Sequence, residues 1–337
     1  MLSLKLVCYR SAQNINPESS LSIVVCIKNG EKHLNNIQHL KNQKFSPKEV
    51  IIVDDFSTDR TPELLDLYRS ENTHILQADV DRKGKKTALK KGILTANHNT
   101  LLLTDIDCVP ASDLWATTMM QSYNDSYDIL LAYGPYIKQP GVLNKLIRYE
   151  TALTAIQYLS YALYSIPYMG VGRNLSYRKS VFLDSDQFSS HLHIPSGDDD
   201  LFIASVSRRH KVGICLEPES FTYSEPESAW GSFYKQKSRH VSTSDQYSPL
   251  HKFLLSLGSG SHISIFFLLF ILLSIGSAKL VIAIFLIRMA LLTIILSPIL
   301  IKLKEKDLIY YLPFLDVILF LYYVILMPAL IFKRKEW

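Results

Sequence analysis

The sequence predicts an α/β fold built on a mostly parallel sheet, followed by a C-terminal block of membrane helices. Three observations carry that reading. Apolar runs of strand length alternate with helical stretches through the first half of the chain, and two of those runs end abruptly in acidic residues. From Phe253 to Phe332 the composition then shifts to Leu, Ile, Phe and Tyr. The expected organisation is an N-terminal extension over 1–20, a soluble domain over 21–250 and a membrane domain over 251–337 with two to three transmembrane helices.

The elements follow in order. Leu21–Ile27 is nearly continuously apolar, as a strand covered on both faces must be. Lys28-Asn29-Gly30-Glu31 breaks it, and a helical stretch runs to about Gln43. Glu49–Val53 is a second such strand and stops at Asp54-Asp55. Thr61-Pro62 opens a helix, with proline at a tolerated first-turn position. Thr73–Ala78 is a short third strand and Thr87–Ala96 a helix. Leu101–Leu103 is a fourth strand, running into Thr104-Asp105-Ile106-Asp107, and Asp128–Tyr133 is a fifth. Single helices between strands imply right-handed crossovers and parallel pairing. Such sheets bind ligands beyond the carboxyl ends of their strands.

The chain has 337 residues, 48% of them hydrophobic, and a formal charge of +5 from 36 Lys+Arg against 31 Asp+Glu. That balance suits a protein near anionic lipid or handling phosphates and is too weak to argue for nucleic acid. Cys8, Cys26, Cys108 and Cys215 lack C-x-x-C spacing and read as structural thiols of a reducing compartment. The opening MLSLKLVCYRSAQ has no long apolar core of a signal peptide, so the soluble part is expected in the cytoplasm.

Each acidic cluster has an ordinary reading beside the functional one. Asp54-Asp55 ahead of Ser57, Thr58 and Asp59 fits an Asp-capped turn; equally, a carboxylate at a strand end accepts hydrogen bonds from a base or ribose. Asp105 and Asp107 sit two apart, so on extended chain both leave one face and reach one Mg²⁺ or Mn²⁺ bridging to a diphosphate. Asp198-Asp199-Asp200, before the apolar helix Leu201–Val206 and Arg208-Arg209, complements a helix dipole. Three carboxylates exceed what capping needs, and adjacent like charges are costly unless a cation or substrate engages them, so one is a candidate general base. Between the first two clusters lies the basic run Arg82–Gly92. Its Gly84 opens backbone beside several cations, a place for phosphate, without the spacing of an ATPase P-loop. Gly170-Val171-Gly172-Arg173-Asn174 is a glycine-rich turn.

Taken in order, SIVVCIKNGEKHL, VIIVDDFSTDRTPEL, RKGKKTALKKGI, LLLTDIDC, GVGRNLSYRKSVF, GDDDLF and QKSRH resemble family 2 of the inverting glycosyltransferases, which share the GT-A fold. The matching stretches span residues 22 to 240. The resemblance implies that Asp54 and Asp55 hold the nucleoside, that Lys83 and Lys86 of the basic run lie near the diphosphate, and that Asp105 and Asp107 form the D-x-D motif, the latter on the metal. Arg173 and Asn174 join the donor site. GDDDLF corresponds to the motif carrying the base: aligning on Leu201 gives Asp198, which is favoured, whereas matching the first acidic pair gives Asp199. QKSRH is similar to the Q-x-x-R-W motif of membrane-embedded polysaccharide synthases, retaining Gln236 and Arg239. His240 replaces the tryptophan, and imidazole offers much less apolar face for an acceptor sugar.

The implied reaction is a metal-assisted single displacement from a nucleotide-sugar donor, UDP-linked by family preference, to a lipid-linked or membrane-proximal glycan acceptor. A processive synthase that translocates its product is the competing enzyme reading, and a non-catalytic nucleotide-binding membrane component the competing class. For the membrane part, Ile263–Ile275 with flanks, Leu280–Ile301 and Leu308–Phe332 are the candidate spans at about 20 residues each. Gly258-Ser259-Gly260 is expected to interrupt the first, Arg288 in the second must face protein, water or a headgroup, and Pro313, Asp316 and Pro328 predict a kinked or re-entrant third. Lys302, Lys304 and Lys306 are expected inside, whereas three full spans put Lys333-Arg334-Lys335 outside, against the same charge rule. Leu143–Ile166 reads equally as a bilayer-surface or a core helix.

Overall fold

The computed structural model describes residues 3–11, 20–46, 48–79, 84–123, 127–194 and 196–331. A short helix α1 (Leu4–Cys8) precedes strand β1 (Leu21–Ile27), helix α2 (Asn36–Lys41), β2 (Lys48–Asp54), α3 (Thr61–Leu65), β3 (Thr73–Gln77) and α4 (Lys85–Thr95). Then come β4 (Thr100–Asp105), β5 (Cys108–Pro110), α5 (Trp115–Ser122), β6 (Ile129–Ala132), the long α6 (Val142–Leu163) and β7 (Leu175–Arg178). After these follow α7 (Lys179–Leu183), α8 (Asp200–Val206), β8 (Val212–Cys215), β9 (Thr222–Ser224) and α9 (Trp230–Val241). The chain closes with α10 (Pro249–Ser274), α11 (Ala278–Lys302) and α12 (Leu312–Ile331).

The main sheet has seven strands in the order β3-β2-β1-β4-β7-β6-β8. All its pairings are parallel except those that β7 makes with β4 and β6. Ile23, Val24, Val25, Ile51, Ile52 and Leu102 are fully buried, as apolar runs covered on both faces require. The order reverses at β1, which pairs with β2 on one side and β4 on the other. That switch point opens a crevice at the carboxyl ends of β1 and β4. The antiparallel β7 begins where β4 ends, with Leu175 opposite Leu103. The Gly170–Asn174 turn is thereby delivered to the same edge.

The C-terminal apolar helices are packed into the sheet domain rather than hung from it. One apolar core runs from Val24 and Leu103 on the sheet through Tyr158 and Leu159 on α6 to Leu296, Ile299, Leu315 and Leu319 on α11 and α12. Helix α6 is therefore a core helix. Its Arg148, 2% exposed, pairs with Glu305 and Asp307 in the turn between α11 and α12. Lys302 at the end of α11 donates to the carbonyls of Leu6 and Tyr9 at 3.1 and 2.9 Å, and to that of Val7, fastening α1.

Among the described residues, three helices are long and apolar enough to cross a membrane: Pro249–Ser274, Ala278–Lys302 and Lys306–Pro328. Two expectations need correction. Helix α10 runs straight through Gly258-Ser259-Gly260, because its neighbours supply enough apolar length for two glycines to be carried. The third segment is not re-entrant over the described residues: it is one helix over Leu312–Ile331 that carries Pro328 inside it, and Pro313 falls in its first turn, where no backbone hydrogen bond is lost.

Candidate active site

Asp55 follows β2 directly, and its N–H donates to the Ile27 carbonyl at 2.8 Å. Asp54 is buried and accepts from the Ser57 N–H at 3.2 Å and the Gln77 amide at 3.1 Å, and from the Ser57 hydroxyl. Asp55 accepts from the Gly84 N–H at 2.8 Å and the Lys28 ammonium at 3.4 Å. Gly84 has φ +136°, a conformation open to glycine and costly for other residues. A side chain there would disturb both the start of α4 and its tie to β2. Asp55 thus acts first as a buckle between the β2 end and the basic segment, while Asp54 braces the turn after β2.

Lys85, the first residue of α4, occupies the centre of the site. Its ammonium lies 2.8 Å from Asp105 and 2.9 Å from Asp198. Burial alone would push the Lys85 pKa down, but Asp105, Asp198 and Asp199 overcome it and hold it well above the usual lysine value. Burial likewise pushes Asp198 up, and Lys85 reverses that, holding the carboxyl below its ordinary range. Asp199 has the opposite balance. Burial first, then its neighbours Asp198 and Asp200, raise it to about 7. Asp199 also caps α8, accepting from the Asp200 N–H, and accepts from the Gly172 N–H, both at 2.7 Å. A Cβ on Gly172 would stand 3.3 Å from that carboxylate, so the glycine permits the approach.

Asp105 is the last residue of β4, and Asp107 lies beyond it in a turn. The two carboxylates do not share a strand face, as the period-two reading expected. The turn instead folds them back so that oxygens of Asp105 and Asp107 and the Cys108 thiol lie within 4.8 Å of one another. Burial and the charge of Asp105 raise Asp107 above its ordinary value, the state of two carboxylates that share a site and call for a cation. Hard carboxylate oxygens fit Mg²⁺ or Mn²⁺. Burial pushes the Cys108 thiol to about 12, and it lies 3.0 Å from the Ser224 hydroxyl.

Arg173 stacks on Tyr136, its guanidinium carbon 4.4 Å from the ring centroid. The same group feels the charges of Asp107 and Asp105. Arg239 and Gln236 line the cavity that contains these residues, and the Gln236 Oε1 is buried without a hydrogen-bond partner among the described residues. Two expected donor-site residues are committed elsewhere. The Lys86 ammonium donates to the carbonyls of His191 and Ile194 at 2.6 and 2.8 Å. It faces away from Lys85 because one residue turns a helix by about 100°. Asn174, fully buried, donates to the Tyr133 and Ser220 carbonyls and accepts from the Trp115 indole, bracing the site from behind. Lys83 lies outside the described residues. Lys85 was not singled out from the basic run, although its place directly after Gly84 at a helix start was the available signal.

The glycosyl transferase family 2 profile matches residues 22–185, which include Asp54, Asp55, Lys85, Asp105, Asp107 and Arg173. That stretch is a family 2 glycosyl transferase domain. Poly-beta-1,6-N-acetyl-D-glucosamine synthase of Staphylococcus aureus is 28% identical over 140 residues, 42% of this chain and 32% of that protein. Glycosyltransferase GlyG of Streptococcus pneumoniae is 27% identical over 124 residues, 36% of this chain and 41% of that protein. The similarity thus spans about a third of the length of the first of these relatives and two fifths of the second. Among solved structures, the mannosyltransferase PcManGT from Pyrobaculum calidifontis, in complex with GDP-Man and Mn²⁺, is similar in fold. Its TM-score is 0.55 at 13% identity, over 94% of this chain and 92% of that one. The architecture is the GT-A fold, a mostly parallel α/β sheet, with three apolar helices after it.

Proposed function

We propose that the chain is an inverting glycosyltransferase of the membrane, moving a sugar from a nucleotide-sugar donor to a hydroxyl acceptor. The observation that carries this reading is the meeting of Asp105, Asp198 and Asp199 around Lys85 at the switch point of the sheet. In a GT-A fold that is where a donor diphosphate and an attacking hydroxyl come together.

Asp199 is the general base in this reading, in place of Asp198. A base working near neutral pH needs a pKa near 7, which Asp199 has, whereas Asp198 is neutralised by Lys85. The acceptor oxygen forms a bond to the anomeric carbon as the bond from that carbon to the diphosphate oxygen breaks. The hydroxyl proton passes to Asp199, and the electron pair leaves with the nucleoside diphosphate. Lys85 and Arg173 supply cationic support on the leaving-group side. A divalent cation held by Asp105 and Asp107 would neutralise charge on the departing diphosphate. Asp54 and Asp55 border the nucleoside.

A glycosyl transferase domain on the cytoplasmic face, anchored by three spans, agrees with Lys302, Lys304 and Lys306 at the end of the second span. UDP-sugars are the donors to test first, because the family resemblance favours them. The test is donor hydrolysis and transfer by the purified chain across UDP- and GDP-sugars, with Mg²⁺ or Mn²⁺ and with chelator. Sugar release lost in Asp199→Asn supports the reading. Equal turnover by wild type and Asp199→Asn would remove Asp199 as the base, and no turnover with any donor would remove the enzyme reading itself.

A further inference from the structure

The catalytic residues do not face bulk solvent alone. They open into a cavity of about 1020 Å³ that continues past α6 into the space between α10, α11 and α12. At one end stand Asp105, Asp199, Gln236 and Arg239; at the other stand Leu255, Ile263, Leu292, Leu319, Leu326 and Met327. One ligand that fills such a space carries a polar head and an apolar tail.

At the membrane end Arg288, Asp316 and His262 are engaged with one another. Arg288 makes two hydrogen bonds of 2.8 Å to the Asp316 carboxylate. Its remaining contact is to His262 Nδ1 at 2.9 Å, while His262 Nε2 faces the Asp316 carbonyl at 3.2 Å. This trio is balanced in charge, and the aliphatic walls beside it offer a sugar hydroxyl little in exchange for its water. They suit hydrocarbon. At the other end the balance is reversed: the Gln236 Oε1 is buried and lacks a donor among the described residues, and an acceptor hydroxyl supplies one.

Resting on the glycosyltransferase reading above, we infer that the acceptor is a glycolipid, with a sugar hydroxyl at Asp199 and Gln236 and its hydrocarbon tail lying between α10, α11 and α12. A base at Asp199, as in that reading, favours a sugar hydroxyl over a lipid phosphate. A phosphate monoester oxygen is already ionised at neutral pH and has no proton for Asp199 to take, whereas a sugar hydroxyl must lose one as it attacks.

The test uses the full chain held in amphipol, with glucose and alkyl β-glucosides of two to twelve carbons as acceptor probes. The expected result is a kcat/KM that climbs with chain length, by up to about fourfold per buried methylene. Ile263→Trp and Leu292→Trp should flatten that climb while leaving the rate with ethyl glucoside and the rate of donor hydrolysis unchanged. A dodecyl glucoside bearing a diazirine at the tail end should photolabel α10–α12 whether or not it turns over. Chain-length independence with hydrolysis intact, or labelling confined to the sheet domain, overturns the tail site. Addition of many sugars to free glucose at a tail-independent rate would make the cavity a glycan channel instead. Failure of donor hydrolysis in wild type would strike the glycosyltransferase reading, while the photolabel still reports on the cavity.

Discussion

The Tyr247 hydroxyl donates to Asp200 Oδ2 at 2.7 Å, and the Thr243 hydroxyl donates to the same oxygen at 2.6 Å. Asp200 starts α8 next to Asp199; Thr243 and Tyr247 belong to the segment joining α9 to α10. One carboxylate therefore fixes α8 to the segment that joins α9, which carries Gln236 and Arg239, to the first apolar helix, α10. The third acid of GDDDLF serves this tie, which capping and catalysis leave unaccounted for.

Asp200→Asn should preserve the tie, since an amide oxygen still accepts both hydroxyls, but it removes one of the two charges that raise Asp199. The acid limb of the rate profile, expected near pH 7 in wild type, should then move to lower pH with kcat retained on the plateau. Tyr247→Phe with Thr243→Val keeps the charge and loses the tie. That variant should lower stability by about 1.5–3 kcal/mol per hydrogen bond to the charged group without the pH shift. Initial rates from pH 5 to 9, beside chemical unfolding, separate the two effects.

Asp199 also leaves a mark on stability. Its carboxyl titrates at about 7 in the folded chain against an ordinary value of 3.8. A carboxyl raised on folding binds its proton more tightly in the folded state. Its favourable contribution is complete below pH 3.8 and is lost as pH rises through about 7. Asp199→Asn should therefore abolish transfer and yet unfold at a higher temperature than wild type at pH 8, the gain shrinking towards pH 4. A variant less stable than wild type across that whole range would contradict the assignment.

Lys85 contacts Asp105, so it competes with a cation for the same oxygens. Lys85→Ala should tighten Mn²⁺ binding measured by calorimetry while cutting transfer by about 10²-fold or more. Asp107→Ala should weaken Mn²⁺ binding and remove the metal dependence of nucleotide binding, and it should cut transfer as well. Weaker Mn²⁺ binding in Lys85→Ala would mean that the ammonium organises the cation site instead of contesting it.

The strands were legible in the sequence because parallel strands buried on both faces leave long apolar runs, as Leu21–Ile27 and Lys48–Asp54 do. The acidic clusters were legible because those runs stop at them. Less was visible in the basic run. Lys85 and Lys86 are neighbours in sequence, but helix rotation sends one ammonium to Asp198 and the other to the His191 and Ile194 carbonyls. Asn174 in a glycine-rich turn has the composition of a binding loop, and only its packing against Trp115 and Tyr133 makes it a brace. The convergence of Asp105 and Asp107 was anticipated for the wrong reason, since a turn achieves what strand alternation was expected to do. The partner of Arg288 was also beyond reach, because Asp316 lies on another helix and pairing across helices leaves no local pattern.

That pair supports the last prediction. Arg288 sits near the middle of α11, and its guanidinium is held by Asp316, 1% exposed on α12, with His262 of α10 completing the contact. Charges at such a depth persist when they are paired, and breaking one side leaves the other uncompensated. Arg288→Ala or Asp316→Ala should each cost about 3–5 kcal/mol and loosen all three apolar helices together. Arg288→Met combined with Asp316→Leu removes both charges and should recover most of that loss, because a buried pair stabilises little beyond apolar side chains of similar volume. Thermal unfolding of the four proteins in one detergent, with donor hydrolysis followed in parallel, checks this. Near-additive losses in the double variant would show that the two residues do not act as a pair.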